Sequence, residues 1–163
     1  MHRRNGIALL AIVLLLSACG ESATGPVDVH FDRATCERCR MVLSDRFHAA
    51  QVRLGVTENG GGGVHLFDDL GCALVWLQEQ PSRDEPGTEI WVNHWQSGKW
   101  IDARSAFYVP DQVTPMGYGL GAQTIPGPGT LTFAEARARV LAIEKTSHAN
   151  RGRPQPSQTQ DLR

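Results

Sequence analysis

An α+β fold, built as two small strand-helix units with mixed or antiparallel sheets, is what the sequence predicts, and three observations carry it. Strand-like stretches FHAAQVRLGV and VHLF flank the glycine run ENGGGG, whose backbone freedom suits a hairpin turn. At Asp68 the apolar period changes to that of a helix, and DDLGCALVWLQEQ places Leu70, Ala73, Leu74 and Leu77 on one face. The same order, strands and then a helix, recurs from IWVNHW to TFAEARARVLAIEK. Identity between the halves is too slight to call a repeat, so small sheets with segregated helices are the expectation.

Each element has its own reason. The chain opens MHRRNGIALLAIVLLLSACG, with Arg3 and Arg4, a short apolar core and a small-residue exit, the pattern of an export signal over residues 1–18. Its apolar run is short for a membrane span, which needs about 20 residues. Leu16-Ser17-Ala18-Cys19 reads as a lipobox, with Cys19 lipidated and residues 19–26 serving as anchor and tether. Gly20 rather than aspartate follows it, and the expected place is the periplasmic face of a membrane, the outer membrane of a two-membrane bacterium by default, anchored in the lipid bilayer. Residues 27–80 form the first αβ unit, with Asp68 as N-cap of its helix. The proline-bounded segment 81–89 is a linker. The second unit, 90–145, holds the IWVNHW strand, a Ser97-Gly98 turn, KWIDARSAFYV and a glycine- and proline-rich stretch around one or two short strands. Thr132 and Glu135 form a capping box for its helix, whose stripe is Phe133, Ala136, Val140 and Ile143. The tail 146–163 has little to bury and is expected to be disordered.

Charge and motif content exclude several functions. The formal net charge is −1 and becomes −3 once Arg3 and Arg4 leave with the signal, which does not suit a nucleic-acid or anionic-membrane binder. No GxSxG elbow, HExxH helix or Walker loop is present, and ENGGGG lacks the lysine a phosphate cradle needs. Asp84 and Glu85 lie in the linker and make no acid/base pair. No catalytic turnover is expected.

The chemistry lies in TCERCRM. Cys36 and Cys39 are close enough to form a structural disulfide, a redox pair, or two ligands of one metal. A thioredoxin-like pair opens a longer helix than follows here. Zinc needs a completed four-coordinate set, from Cys72 or a histidine. Met41 adds a thioether, and thiolate with thioether selects cuprous copper. Beyond the initiator, the chain's methionines are Met41 and Met116, neither in an apolar stripe. His65 is a further possible ligand beside the helix entrance. His48 and His94 read as structural or exposed, and Cys72 as a buried thiol, with metal binding and thiol exchange as its alternatives. Trp91, Trp95, Trp100, Phe107 and Tyr108 are expected to cover the sheet.

CERCRM, HLFDDLGCALVWL, WIDARSAFYV and TPMGYG, in this order, resemble the NosL family of copper lipoproteins, accessory proteins in assembly of the copper centres of nitrous oxide reductase. The resemblance runs from about Cys36 to Lys145. It implies paired αβ units like those of organomercury lyase, and Cu(I) as the bound metal. It places the ligands at Cys39 and Met116, with Cys36 and Met41 beside them. It further implies a metallochaperone whose partner is apo nitrous oxide reductase or another extracytoplasmic copper acceptor. The chain departs from the family at Arg40, where glycine is usual.

Overall fold

The computed structural model describes residues 24–57 and 60–151. The export signal, Cys19 and the end of the tail lie outside the described residues. In chain order the elements are β1 (Ala50–Arg53), β2 (Val56–Thr57), β3 (Gly60–Gly61), β4 (Val64–Phe67), α1 (Leu70–Gln78), β5 (Glu89–Asn93), β6 (Trp100–Asp102), β7 (Phe107–Val109), β8 (Gly121–Gln123) and α2 (Phe133–Arg151). The fold is α+β with antiparallel ladders.

β1 is the centre of the main sheet, whose order is β4-β1-β5-β6. All four of its residues are buried, and it pairs antiparallel with β4 on one side and β5 on the other, so that Val52 faces both His65 and Ile90 across the ladders. The two halves therefore interlock, because a strand from the second half enters the sheet begun by the first. The glycine run places β2 and β3 as a short pair beyond the β1–β4 hairpin. Ser97 and Gly98 turn the chain between β5 and β6, with Gly98 at φ 68°, the left-handed region that glycine enters without steric cost. A second small sheet joins β7 and β8.

Two polar side chains tie the entering chain to β1. Buried Gln51 accepts from Val27 N–H at 2.9 Å and donates to Val27 O at 2.8 Å. Arg53 donates to Gly25 O at 3.1 Å, while Gly25 N–H donates to Glu89 at 2.7 Å. The tether expected over 19–26 is thus already fixed to the sheet at Gly25.

α1 packs more faces than its expected stripe. Leu70, Gly71, Cys72, Ala73, Leu74 and Leu77 are all buried, because the helix lies between the sheet and α2. Its N-cap is Asp69, whose carboxylate accepts from Gly71 N–H at 2.8 Å. This corrects the assignment of the cap to Asp68 by one residue and frees the Asp68 carboxylate for another use. α2 starts as its capping box dictates, with Glu135 accepting from Thr132 N–H at 2.7 Å, and buries Ala136 and Val140. It also runs on to Arg151, past the expected end near Lys145 and into the segment expected to be disordered. No breaker interrupts TSHANR before Gly152, and His148 reaches back one turn to Glu144 at 3.0 Å. An i,i+4 pair of this kind supports a helix end. Among the described residues no helix is long and apolar enough to cross a membrane.

Candidate metal centre

The TCERCRM segment is a closed loop rather than the start of a helix. Thr35 and Val42 form an antiparallel bridge. Inside it Cys36 N–H donates to Met41 O at 2.8 Å, and Arg40 N–H to Cys36 O at 3.1 Å. Glu37 N–H donates to Leu66 O at 2.8 Å, which docks the loop on β4. The turn closes only because Arg40 adopts φ 64°. A side chain in that region costs roughly 1–2 kcal/mol relative to the right-handed one, so the glycine usual in the resembled family would suit the backbone better. Arg40→Gly is expected to change stability by at most about 1 kcal/mol in the favourable direction, since glycine's extra unfolded-state entropy offsets part of the relief. The Arg40–Glu37 pair it removes, 3.6 Å and solvent-exposed, is worth little. The urea midpoint reads this directly; a lowered midpoint would mean that Arg40's own contacts outweigh the strain.

The docked loop meets the entrance of α1. There Cys36, Cys39, Cys72 and Asp68 bring one ligand atom each within 4.8 Å of all the others. All three thiols are free; Cys36 and Cys72 are buried and Cys39 is half-buried. Cys39 donates its thiol proton to Asp68 Oδ2 at 3.2 Å. The other carboxylate oxygen, Oδ1, is buried with no hydrogen-bond partner among the described residues, on a residue only 2% exposed. A buried unpartnered carboxylate oxygen is costly, and a cation is what would satisfy it. The donor set fits a thiophilic metal.

The three thiols are electrostatically distinct. The Cys72 thiol donates to Cys36 and lowers it to about 6, with the Cys39 and Asp68 backbone N–H groups acting in the same direction against burial. Burial pushes the Cys39 thiol up to about 12, with Cys36 and Asp68 adding to the effect. Cys72 is raised further, because its thiol donates a hydrogen bond to Cys36 and it too is buried. Three thiols of different acidity converging with one carboxylate make a soft-metal receptor.

A second layer holds this arrangement. Arg38, within the loop, places Nη1 3.9 Å from Cys72 Sγ and 3.0 Å from Tyr118 Oη, and Nη2 2.6 Å from Glu144 on α2. Tyr118 donates to the other Glu144 oxygen at 2.7 Å. The Tyr118 ring lies flat on Gly71, where an added Cβ would fall 2.1 Å from ring carbons. Gly71→Ala is therefore expected to destabilise by about 2 kcal/mol or more through overpacking, read by thermal or urea unfolding. A neutral result would mean that the ring is not seated there. Outer groups of this kind orient the ligands of metal sites.

The expected site residues divide in two. Cys36 and Cys39 lie in the cluster. Met41 follows them in the loop but is 53% exposed. Met116 is half-buried against the core, and its backbone N–H donates to Asp69 Oδ2 at 3.2 Å, which fixes the PMG turn beside the α1 entrance. His65 is not in the cluster. Its ring packs on Trp76 at 4.4 Å between centroids and its Nδ1 is 3.9 Å from Glu37. His48 bonds Asp45 at 2.7 Å, and His94 accepts from Gln96 N–H. Asp68, read from sequence as a cap, is a member of the cluster, and Cys72 joins it. Their spacing of four residues across a helix start was the available signal.

No family model matches the sequence, and no curated protein matches it. Among solved structures, the copper chaperone NosL from Shewanella denitrificans aligns over 72% of this chain and 87% of its own, with 17% sequence identity and a TM-score of 0.48. The chemistry of the site rests on the residues of this chain alone.

Proposed function

We propose that this protein binds cuprous copper as cargo and passes it to an extracytoplasmic acceptor, without catalytic turnover. The observation that supports this reading is the convergence of three free thiols at one half-buried point, where a CxxC loop meets a helix entrance. Soft thiolates prefer Cu(I). Cys36 and Cys39 hold the ion, with Cys72 as a third sulfur. Met116 and exposed Met41 are the thioether ligands through which copper enters and leaves. A low-coordinate cuprous site exchanges by adding a partner's ligand before losing its own, so a solvent-facing thioether is the natural first contact.

The motif resemblance implies nitrous oxide reductase as the acceptor, and a lipid anchor at Cys19 on the periplasmic face of the outer membrane would hold the exchange near the envelope. The test is anaerobic competition of the reduced protein with a cuprous chelator, followed by transfer to purified apo-reductase. Copper retained against the chelator, and delivered faster than it is released, supports the proposal. No retention after verified thiol reduction refutes copper binding, and delivery only through free release refutes the carrier mechanism. Metal-free dithiol exchange activity would favour a thiol-disulfide protein instead.

A further inference from the structure

We propose that the same cluster has a second mode, in which Asp68 joins Cys36, Cys39 and Cys72 as fourth ligand and closes a tetrahedral site around a divalent ion of the zinc class. This deepens the reading of the cluster as a metal site and adds a cargo that thiolate and thioether ligands alone would not select. Cuprous copper is satisfied by two or three sulfurs and has little use for a carboxylate oxygen, whereas zinc takes cysteine sulfur and carboxylate oxygen together in four-coordinate sites.

The geometry supplies that set. A tetrahedron with zinc–sulfur bonds of about 2.3 Å has edges of about 3.8 Å. The four ligand atoms already lie within 4.8 Å of one another, with the Cys39–Asp68 edge at 3.2 Å. Only small side-chain shifts separate the cluster from a closed site.

Asp68 is built into the cluster rather than left there by chance. It is 2% exposed. Its Oδ2 accepts a hydrogen bond from the Cys39 thiol, its Oδ1 is buried without a partner among the described residues, and the helix cap is supplied by Asp69 instead. Charge points the same way. Three thiolates and a carboxylate around a monovalent ion leave more buried negative charge than around a divalent one, and uncompensated buried charge is expensive. Arg38, at 3.9 Å from Cys72 Sγ, offsets part of what remains. Binding is plain ligand exchange: metal–sulfur and metal–oxygen bonds form, the displaced thiol protons leave to solvent, and no electron moves. Asp68 thus becomes the residue that sets the balance between divalent and cuprous ions.

The experiment titrates the reduced, metal-free, full-length protein separately with Co(II), as a spectroscopic probe of zinc sites, and with Cu(I) in chelator competition. Intense tetrahedral d–d bands with sulfur-to-cobalt charge transfer, bleached by Zn(II), are expected in the wild type. Asp68→Asn is expected to lower Zn(II) and Co(II) affinity on the order of 10- to 100-fold, while Cu(I) affinity stays within about threefold. Equal losses for both metals, or no loss for either, overturn the assignment of Asp68 as a divalent ligand. Copper binding without the cobalt spectrum overturns this second mode alone; the cobalt spectrum without copper retention overturns the copper reading alone. Should the variant not fold by circular dichroism, zinc-edge X-ray absorption of the wild type decides: three sulfurs and one oxygen sustain the proposal, and any other shell refutes it.

Discussion

Cys36→Ser is expected to lower Cu(I) affinity by about 100-fold or more, a loss of nearly 3 kcal/mol at 1.4 kcal/mol per decade. The motif resemblance puts Cys39 first among the ligands; the burial of Cys36 is the reason its loss is expected to cost at least as much. Cys36 is fully buried, and the Cys72 thiol with two backbone N–H groups lowers its pKa against the effect of burial. Cys39 keeps its proton, hydrogen-bonded to Asp68, until a metal displaces it. A serine hydroxyl has nearly the same shape as the thiol, yet it stays protonated and is a hard donor that cuprous copper rejects. Competition with a cuprous chelator measures the loss, and an unchanged thermal midpoint separates it from unfolding. Met41→Leu makes the contrast. Its exposed side chain predicts an affinity within about threefold of wild type but slower hand-over to an acceptor. If Cys36→Ser binds copper as the wild type does, the thiol cluster is a packing feature and not the cargo site.

The fold class was legible because its signals are local. Alternation around ENGGGG gave the β1–β4 hairpin, the change of period at Asp68 gave α1, and Thr132 with Glu135 gave the start of α2. The entry of β5 into the sheet beside β1 was not legible, since the pairing of Val52 with Ile90 depends on contacts far apart in sequence. The site divided in the same way. Cys36 and Cys39 announce themselves by spacing. Cys72 and Asp68 reach them only because the loop is docked on β4 through Glu37 and Leu66. The cap assignment failed by one residue, as either aspartate of the Asp68-Asp69 pair satisfies the sequence rule. That single residue decides which carboxylate is spent on the backbone and which faces the thiols. The end of α2 was missed because a polar, proline-bearing tail conceals the last turns before Gly152.

Asp69→Ala is expected to cost about 3 kcal/mol of folding stability and to release the PMG turn from the entrance of α1. Asp69 carries three loads. Its Oδ1 caps α1 through Gly71 N–H at 2.8 Å, and loss of such a cap costs about 1 kcal/mol. Its Oδ2 accepts from the buried Thr114 hydroxyl at 2.6 Å and from Met116 N–H at 3.2 Å. Two donors left without partners add about 1 kcal/mol each, or more where no water reaches them. Against this stands the cost of keeping a carboxylate buried, which raises its pKa. Asp69→Asn removes that cost and keeps the side-chain shape. Its amide oxygen still caps Gly71 and the Thr114 hydroxyl turns to accept from its NH2 group, but Met116 N–H meets that group donor to donor, so a loss of about 1–2 kcal/mol is expected. Urea unfolding orders the series wild type, Asn, Ala. The link to the site is read separately, as faster oxidation of Met116 by peroxide in the alanine variant. If stability falls but Met116 oxidation does not change, Asp69 is a helix cap alone. If both stay at wild-type values, the carboxylate does not anchor the turn, and Met116 is not fixed beside the α1 entrance through Asp69.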